Sequence, residues 1–560
     1  SNDGFGNKLR KNMRVYERVA EVLWHFGVRQ IFGVAGSGNY RVTRELMELG
    51  AKYVGARHEG GAVSMADAFS RMGDSLPMVS VHQGGGLTNL VTGLTEAVKS
   101  HTPLLVMAGE APLADRRSNF RIDQPGLVEA VGAVSVRISQ NTPANDVREA
   151  IRIATRLKIP VVINFPTDVQ VMETSDTGAI PTLQPPPLVQ PDAESVRQIA
   201  ELLLDAQAPL IVGGRGARGY GQELRVLAER TGALTATSAV ARGLFHDDPF
   251  SLDVMGDLAA PITMELVLRS DLIVAFGCSL GQWTTSNGSL IPQDAKLVQI
   301  DTNPLALGFQ RPVDIGVVGD AAITAQAIME HIPEMEELAT KRRTPATRKR
   351  ISEQLRWQLI EYRDTSTADR IDPRTATIAL DEILDDDRNI AIDSGNFLGY
   401  PSMFLTVKDE RSLCFSQAFQ CVGLGLAAAI GYAFAQPDRL TICGTGDGGL
   451  LMASTELETI ARLKLPMVII VYNDSAYGAE VHHFGRTPED LGFVSFPDVD
   501  FAAIARGHGL TGVTVRNVDD FAGVREWISG PRDAALMIDM KVTDREPSWW
   551  LADAFKAESH

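Results

Sequence analysis

Residues 446–478 read GDGGLLMASTELETIARLKLPMVIIVYNDSAYG. A short apolar run (RLTICGT) precedes them, a glycine turn opens a small-residue helix, and a second β-rich run ends in Tyr472-Asn473-Asp474-Ser475. The pattern predicts strand, turn, helix, strand. Gly446, Gly448 and Gly449 let backbone N–H groups approach a phosphate, and the helix N-terminus adds positive potential. A carboxylate in the same turn, Asp447, would repel that phosphate unless a cation bridged the two. Adjacent parallel strands end at one edge of a sheet, so Asp474, 27 positions further on, can reach the same ion. Carboxylate, carbonyl, phosphate and water oxygens suit a hard divalent cation, most simply Mg²⁺.

The same design occurs near the other end of the chain. PMVSVHQGGGLTNLVTGLTEAVKSHTPLLVMAG also runs strand, glycine turn, helix, proline break, strand. Gly84 to Pro103 is 19 positions, and Gly446 to Pro466 is 20. This indicates an internal duplication, with a ligand held between two like domains. Between them lies a third block, set off by the proline-rich linker IPTLQPPPLVQPDAES (180–195) and by a charged, helical stretch at 336–364. The predicted fold is α/β, with three parallel-sheet domains: residues 1–179, a Rossmann-like domain at 192–345, and residues 370–550. Within the middle block, PLIVGGRGARG holds GxGxxG (Gly214, Gly216, Gly219), and LVQIDTNP ends a strand in Asp301. That pairing would suit a nucleotide, but no acid stands about 20 positions after the glycines, so a purely structural domain is an equal alternative.

Bulk properties narrow the function. The chain has 560 residues, is 44% hydrophobic and 22% charged, and carries a net charge of -17. Nucleic acid and anionic membranes need a basic face, so neither is an expected partner. The four cysteines (Cys278, Cys414, Cys421, Cys443) lie in apolar runs without CxxC spacing. They read as buried free thiols of a reducing, cytoplasmic setting. SNDGFGNKLRKN lacks the apolar core of a signal peptide, and Ser1-Asn2 reads as a cloning remnant. The longest apolar run, CVGLGLAAAIGYAFA (421–435), is too short to span a bilayer.

The GDG turn followed after 27 positions by a strand-terminal acid resembles the thiamin-diphosphate signature. Nearly the whole chain is similar to the pyruvate-oxidase type of that family: acetolactate synthase, benzoylformate decarboxylase, pyruvate decarboxylase and relatives. The resemblance implies pyrimidine-binding, middle and diphosphate-binding domains in that order. It implies a homodimer or homotetramer with active sites between subunits, and thiamin diphosphate with Mg²⁺ as cofactors. FAD in the middle domain is left open. Asp447, Asp474 and the Ala476 carbonyl would be metal ligands, although Asn is commoner at position 474. Gly395, Asn396 and Phe397 of DSGNF would lie by the diphosphate, with Gly446, Gly448, Gly449, Tyr477 and Gly478. In SQAFQCVGLG, Gln420 would neighbour the cofactor, and Val422 takes the place of the larger apolar wedge that holds it bent.

Glu59, in RHEGGAVSMADAFSRMG (57–73), reads by itself as an acid at a helix start. The resemblance gives it a catalytic role, that of bonding a ring nitrogen of the aminopyrimidine, which then deprotonates thiazolium C2. On the substrate side, Ser37 and His82 match positions used by benzoylformate decarboxylase. Glu480 stands where pyruvate decarboxylase keeps a catalytic acid, with His482 and His483 on the same segment. The FQE-type stretch of acetolactate synthases is replaced by NFRIDQPG (119–126). The implied reaction is decarboxylation of a 2-oxo acid with ligation to a second carbonyl. The alternatives are release of an aldehyde and, remotely, a non-catalytic cofactor-binding homologue.

Overall fold

The computed structural model describes residues 13–552 and 554. The N-terminal stretch read above for a leader or cloning remnant lies outside the described residues. Three six-stranded sheets, each wholly parallel, dominate the fold. Their strands are continuous apolar runs such as Val468–Asn473 and Val161–Pro166, buried on both faces, as sheets covered by helices on two sides require.

The first sheet runs, edge to edge, Lys52–Gly55, Gln30–Gly33, Met78–Val81, Leu105–Glu110, Val161–Pro166, Val134–Arg137. The last runs Leu413–Phe415, Arg388–Ile392, Leu440–Gly446, Val468–Asn473, Leu536–Lys541, Thr511–Val515. Counted within each domain, both follow the order 2-1-3-4-6-5, so the duplication seen in the sequence extends to topology. The middle sheet follows 3-2-1-4-5-6, the order of dinucleotide-binding domains. Among the described residues, no helix is long and apolar enough to cross a membrane.

Of the two connecting stretches, the proline-rich one is irregular as expected of a linker, and the charged one is less uniform than predicted. Residues 181–192 carry no helix or strand. The charged segment is broken into helices at Glu336–Ala339 and Pro345–Gln354, where Pro345 starts a new helix, and a short 3-10 turn at Trp357–Leu359, with no helix or strand from 360 to 369. The first and last domains pack directly on each other. The helix Glu59–Met72 lies against Gly425–Ala435, and both are rich in Gly and Ala. Gly431 is required there, since an added Cβ would collide with the Met65 carbonyl. Cys278, Cys414 and Cys443 are buried free thiols as expected, whereas Cys421 is half-buried in the turn before Gly425.

Candidate active site

In the last domain four loops leave one sheet edge side by side: 393–397, 416–424, 447–449 and 474–478. The strand order reverses between Arg388–Ile392 and Leu440–Gly446, which is where open α/β sheets bind ligands. Asp447 opens the helix Asp447–Ala453, and Asp474 follows the neighbouring strand. Their carboxyls come within hydrogen-bonding reach of each other. Burial pushes both up from the ordinary carboxylate range, and the Asp447 charge adds to the effect on Asp474. Gly478 makes room for this group: an added Cβ would strike the Asp474 carboxylate and come 2.8 Å from Asn396 Nδ2. Asn396 Oδ1 is buried without a hydrogen-bond partner. Among the described residues, no third His, Cys, Asp or Glu joins the pair. Two facing, half-buried carboxyls with an orphaned amide oxygen beside them fit a hard divalent cation. The Ala476 carbonyl, phosphate and water would complete its shell.

Asp393, the first residue of DSGNF, ties these loops together. The sequence alone gave it no role. Its carboxylate accepts from the Ser394 amide (2.8 Å), the Gly423 amide (2.9 Å) and Thr445 Oγ1 (3.1 Å). Complete burial pushes its carboxyl up to about 6 from 3.8. With the folded value raised, the stabilisation is full below about pH 4 and is lost as pH rises through about 6. Asp393→Asn, which cannot ionise, should therefore gain stability relative to the parent between those limits, by up to about 3 kcal/mol. Melting temperatures of both proteins at about pH 4.5 and about pH 7.5 check this; a constant difference between them would rule it out.

Val422 sits in the turn before Gly425, not inside a helix, and is partly exposed at 37%. The turn is shaped by positive φ at Gln420 (56°) and Gly423 (94°). Tyr477 is also exposed, and its ring packs edge-on against Phe496 and beside Gly448. Phe397 stacks on Tyr472 at 5.3 Å. The helix Gly478–His483 carries Glu480, exposed, together with His482 and His483. Burial lowers both histidines below the usual range. His482 Nε2 is buried without a partner, and His483 Nε2 lies 3.4 Å from Ser548 Oγ.

The first domain gathers the other predicted residues at the corresponding edge. Ser37 is exposed in the turn after Gln30–Gly33, and the next amide, Gly38 N–H, donates to His82 Nδ1 at 3.1 Å. His82 follows the adjacent strand Met78–Val81 and meets the Phe120 ring edge-on at 4.9 Å. Because a backbone N–H donates to Nδ1, the ring proton of neutral His82 is on Nε2. Burial lowers its pKa, partly offset by the Glu59 charge. Glu59 is the first residue of its helix, and His58 rather than Glu59 is the cap: His58 Nδ1 accepts from Gly60 N–H at 3.0 Å. Asn89 Nδ2 donates to Glu59 Oε2 at 2.9 Å. Asn89 was missed in the sequence because its partner lies 30 positions away and only the fold joins them.

The middle-domain glycines serve packing. An added Cβ at Gly214 or Gly216 would run into the Gly277–Cys278 backbone, and Arg215 reaches across to the carbonyls of Ser100 and His101. This geometry gives no support to FAD in that loop.

Models of the thiamine pyrophosphate enzymes match in sequence order. The N-terminal TPP binding domain covers residues 13–131, the central domain 196–328 and the C-terminal TPP binding domain 393–538. A sulfoacetaldehyde acetyltransferase of Roseovarius nubinhibens is 27% identical over 553 residues, spanning 91% of this chain and 88% of its own. A protein named "Probable acetolactate synthase large subunit" from Methanocaldococcus jannaschii is 26% identical over 526 residues (91% and 88%). One named "Probable 2-ketoarginine decarboxylase" from Pseudomonas aeruginosa is 25% identical over 520 (91% and 91%). With all three domains present in that order on three parallel sheets, the chain belongs to the thiamin-diphosphate-dependent enzymes of the acetolactate synthase and decarboxylase type.

Proposed function

We propose that the chain decarboxylates a 2-oxo acid and joins the resulting acyl unit to a second carbonyl compound, using thiamin diphosphate and Mg²⁺. When bound, thiamin diphosphate supplies the nucleophilic carbon and electron sink for this chemistry. Asp447, Asp474 and the Ala476 carbonyl would hold the cation. Backbone N–H groups at Gly448 and Gly449, with Asn396, would hold the diphosphate, and Val422 would support the bend. Glu59 has one carboxylate oxygen on Asn89, and the other would be placed to share a proton with the aminopyrimidine. The exposed Ser37 hydroxyl and His82 Nε2–H can orient a substrate carboxylate.

The observation that favours ligation is the state of the nearby imidazoles. His82 accepts an amide proton at Nδ1 and is lowered by burial, and burial lowers His482 and His483 as well. None of the three would then be a ready proton source near neutral pH, which would favour transfer of the acyl unit to a second carbonyl over its protonation. The other fate, protonation to an aldehyde, has Glu480 as its remaining donor on that helix. A panel of 2-oxo acids, each with and without acceptor aldehydes, should give acyloin or acetohydroxy-acid products by mass spectrometry. Free aldehyde under every acceptor would replace ligation by simple decarboxylation, and no CO₂ from any acid would overturn the reading.

Homodimers or homotetramers are part of the proposal. The hydrogen bonds found for Glu59 and His82 stay within the first domain. Leu451, Met452, Val422 and Phe419 leave apolar surface exposed around the diphosphate loops. A second copy would cover that surface and bring its own Glu59 to this half.

A further inference from the structure

Two buried glutamates cross between the first and last domains in opposite directions. Glu456, 2% exposed, starts the helix Glu456–Leu463 of the last domain. It reaches the backbone just before Glu59: the Arg57 amide donates to Oε1 and Oε2 at 3.2 and 3.3 Å, and the His58 amide to Oε1 at 3.1 Å. Thr459 Oγ1 holds Oε2 from behind at 2.6 Å, and Gly61 leaves the space the carboxylate fills. Glu96, 1% exposed, lies on the matching helix of the first domain, Val91–Lys99. It takes the amides of Ala418 and Phe419 at 3.1 and 2.6 Å, directly before Gln420 and the Val422 turn, and is held by Arg71 at 2.7 Å. These two helices follow the two glycine turns of the duplicated design, so the exchange is reciprocal.

We infer that Glu456 and Glu96 are positioning residues, each domain fixing the cofactor loop of the other: Glu456 sets the backbone that presents Glu59, and Glu96 sets the turn that presents Val422. The physical reason lies in the amides. Arg57 and His58 stand between a strand and a helix, where neither element pairs their N–H groups, and a carboxylate there also complements the helix N-terminus. Two bonds to one rigidly held acceptor define the entry angle of the helix, and with it the place of the Glu59 side chain. A catalytic acid displaced by about 1 Å loses on the order of tenfold to a hundredfold in rate.

The inference rests on the proposed role of Glu59, and the test separates the two. Amide hydrogen exchange of the holoenzyme is followed by mass spectrometry over 53–62 and 416–424, together with hydrogen–deuterium exchange at C2 of bound thiamin diphosphate. Glu456→Ala should open 53–62 and leave 416–424 protected, and Glu96→Ala should do the reverse. Glu456→Ala should slow C2 exchange at least about tenfold, with cofactor affinity moving far less. Glu456→Gln keeps the reach and the acceptor oxygen and should protect 53–62. Glu456→Asp keeps the charge but loses the reach and should not. That pair decides the matter even where the alanine variant fails to fold. Unchanged exchange at 53–62 in Glu456→Asp, or normal C2 exchange in Glu456→Ala alongside slow exchange in Glu59→Gln, would overturn the positioning role. Normal C2 exchange in Glu59→Gln itself would sink the Glu59 reading instead.

Discussion

Asp447→Asn should abolish Mg²⁺-dependent binding of thiamin diphosphate, while Asp474→Asn should only weaken it. Asp447 and Asp474 converge from neighbouring strand ends, are partly buried, and repel each other when both ionise. A divalent cation relieves that repulsion and adds the attraction that draws a phosphate into an otherwise acidic turn. Removing the charge at 447 would leave an amide among the N–H groups proposed to bind phosphate, and affinity should fall on the order of a hundredfold or more, beyond the usual loss for a supporting residue. At 474 an amide oxygen remains a serviceable ligand, and the family resemblance makes Asn the commoner residue there. The loss should be nearer tenfold. Stability should move the other way. Both folded-state carboxyls titrate above their unfolded value, so the stabilisation they give is full below about pH 4 and is lost as pH rises through the raised values. Metal-free Asp474→Asn should therefore melt higher than metal-free parent at about pH 8, with the gap closing toward about pH 5. Calorimetric titration with cofactor, with Mg²⁺ or with chelator, measures the binding. Parent-like affinity in Asp447→Asn would refute the metal assignment.

The part of this site that could be read from sequence is the part set by local order along the chain. Gly446–Gly449, Asp447 and Asp474 are fixed by strand ends 27 positions apart, and strands that short in a parallel sheet leave little choice of edge. Ser37, Glu59 and His82 came from the family resemblance rather than from local order, and the structure puts them at the matching sheet edge of the first domain. What escaped depends on contacts between loops. Asn89 ends the short helix Gly85–Asn89 after an ordinary HQGGG turn, and only its packing on the start of the earlier Glu59–Met72 helix shows its bond to Glu59. Asp393 stands inside DSGNF, but its burial and its donors come largely from the loops around it. Glu456 stands inside the 446–478 motif too, where ELETIARL reads as plain amphipathic helix; its partners belong to another domain. GxGxxG left two readings open, and the structure fits the structural one. Its glycines permit close packing of backbone on backbone, a need that leaves the same trace in sequence as a phosphate does.

Glu59→Gln should leave the fold and cofactor affinity nearly unchanged and cut turnover by about a hundredfold to ten-thousandfold, the usual range for a lost general acid–base group. The amide keeps the length of the side chain, and its oxygen can still accept from Asn89 Nδ2, so the helix start and its neighbours are undisturbed. What disappears is the ability to exchange a proton with the aminopyrimidine. On the proposed assignment, cofactor affinity would be governed at the other end, by the cation and diphosphate loops, and should move little. A second consequence is electrostatic. The Glu59 charge raises the His82 pKa against the lowering by burial, so in Glu59→Gln the imidazole should titrate lower still, by NMR, than in the parent. A purely structural acid at a helix start predicts the opposite pattern: a small loss of melting temperature, an unmoved C2 exchange rate and turnover that follows the folded fraction. The two accounts therefore part at a single measurement, C2 exchange in the fully folded variant. Near-parental exchange there would return Glu59 to the role its sequence neighbours first suggest.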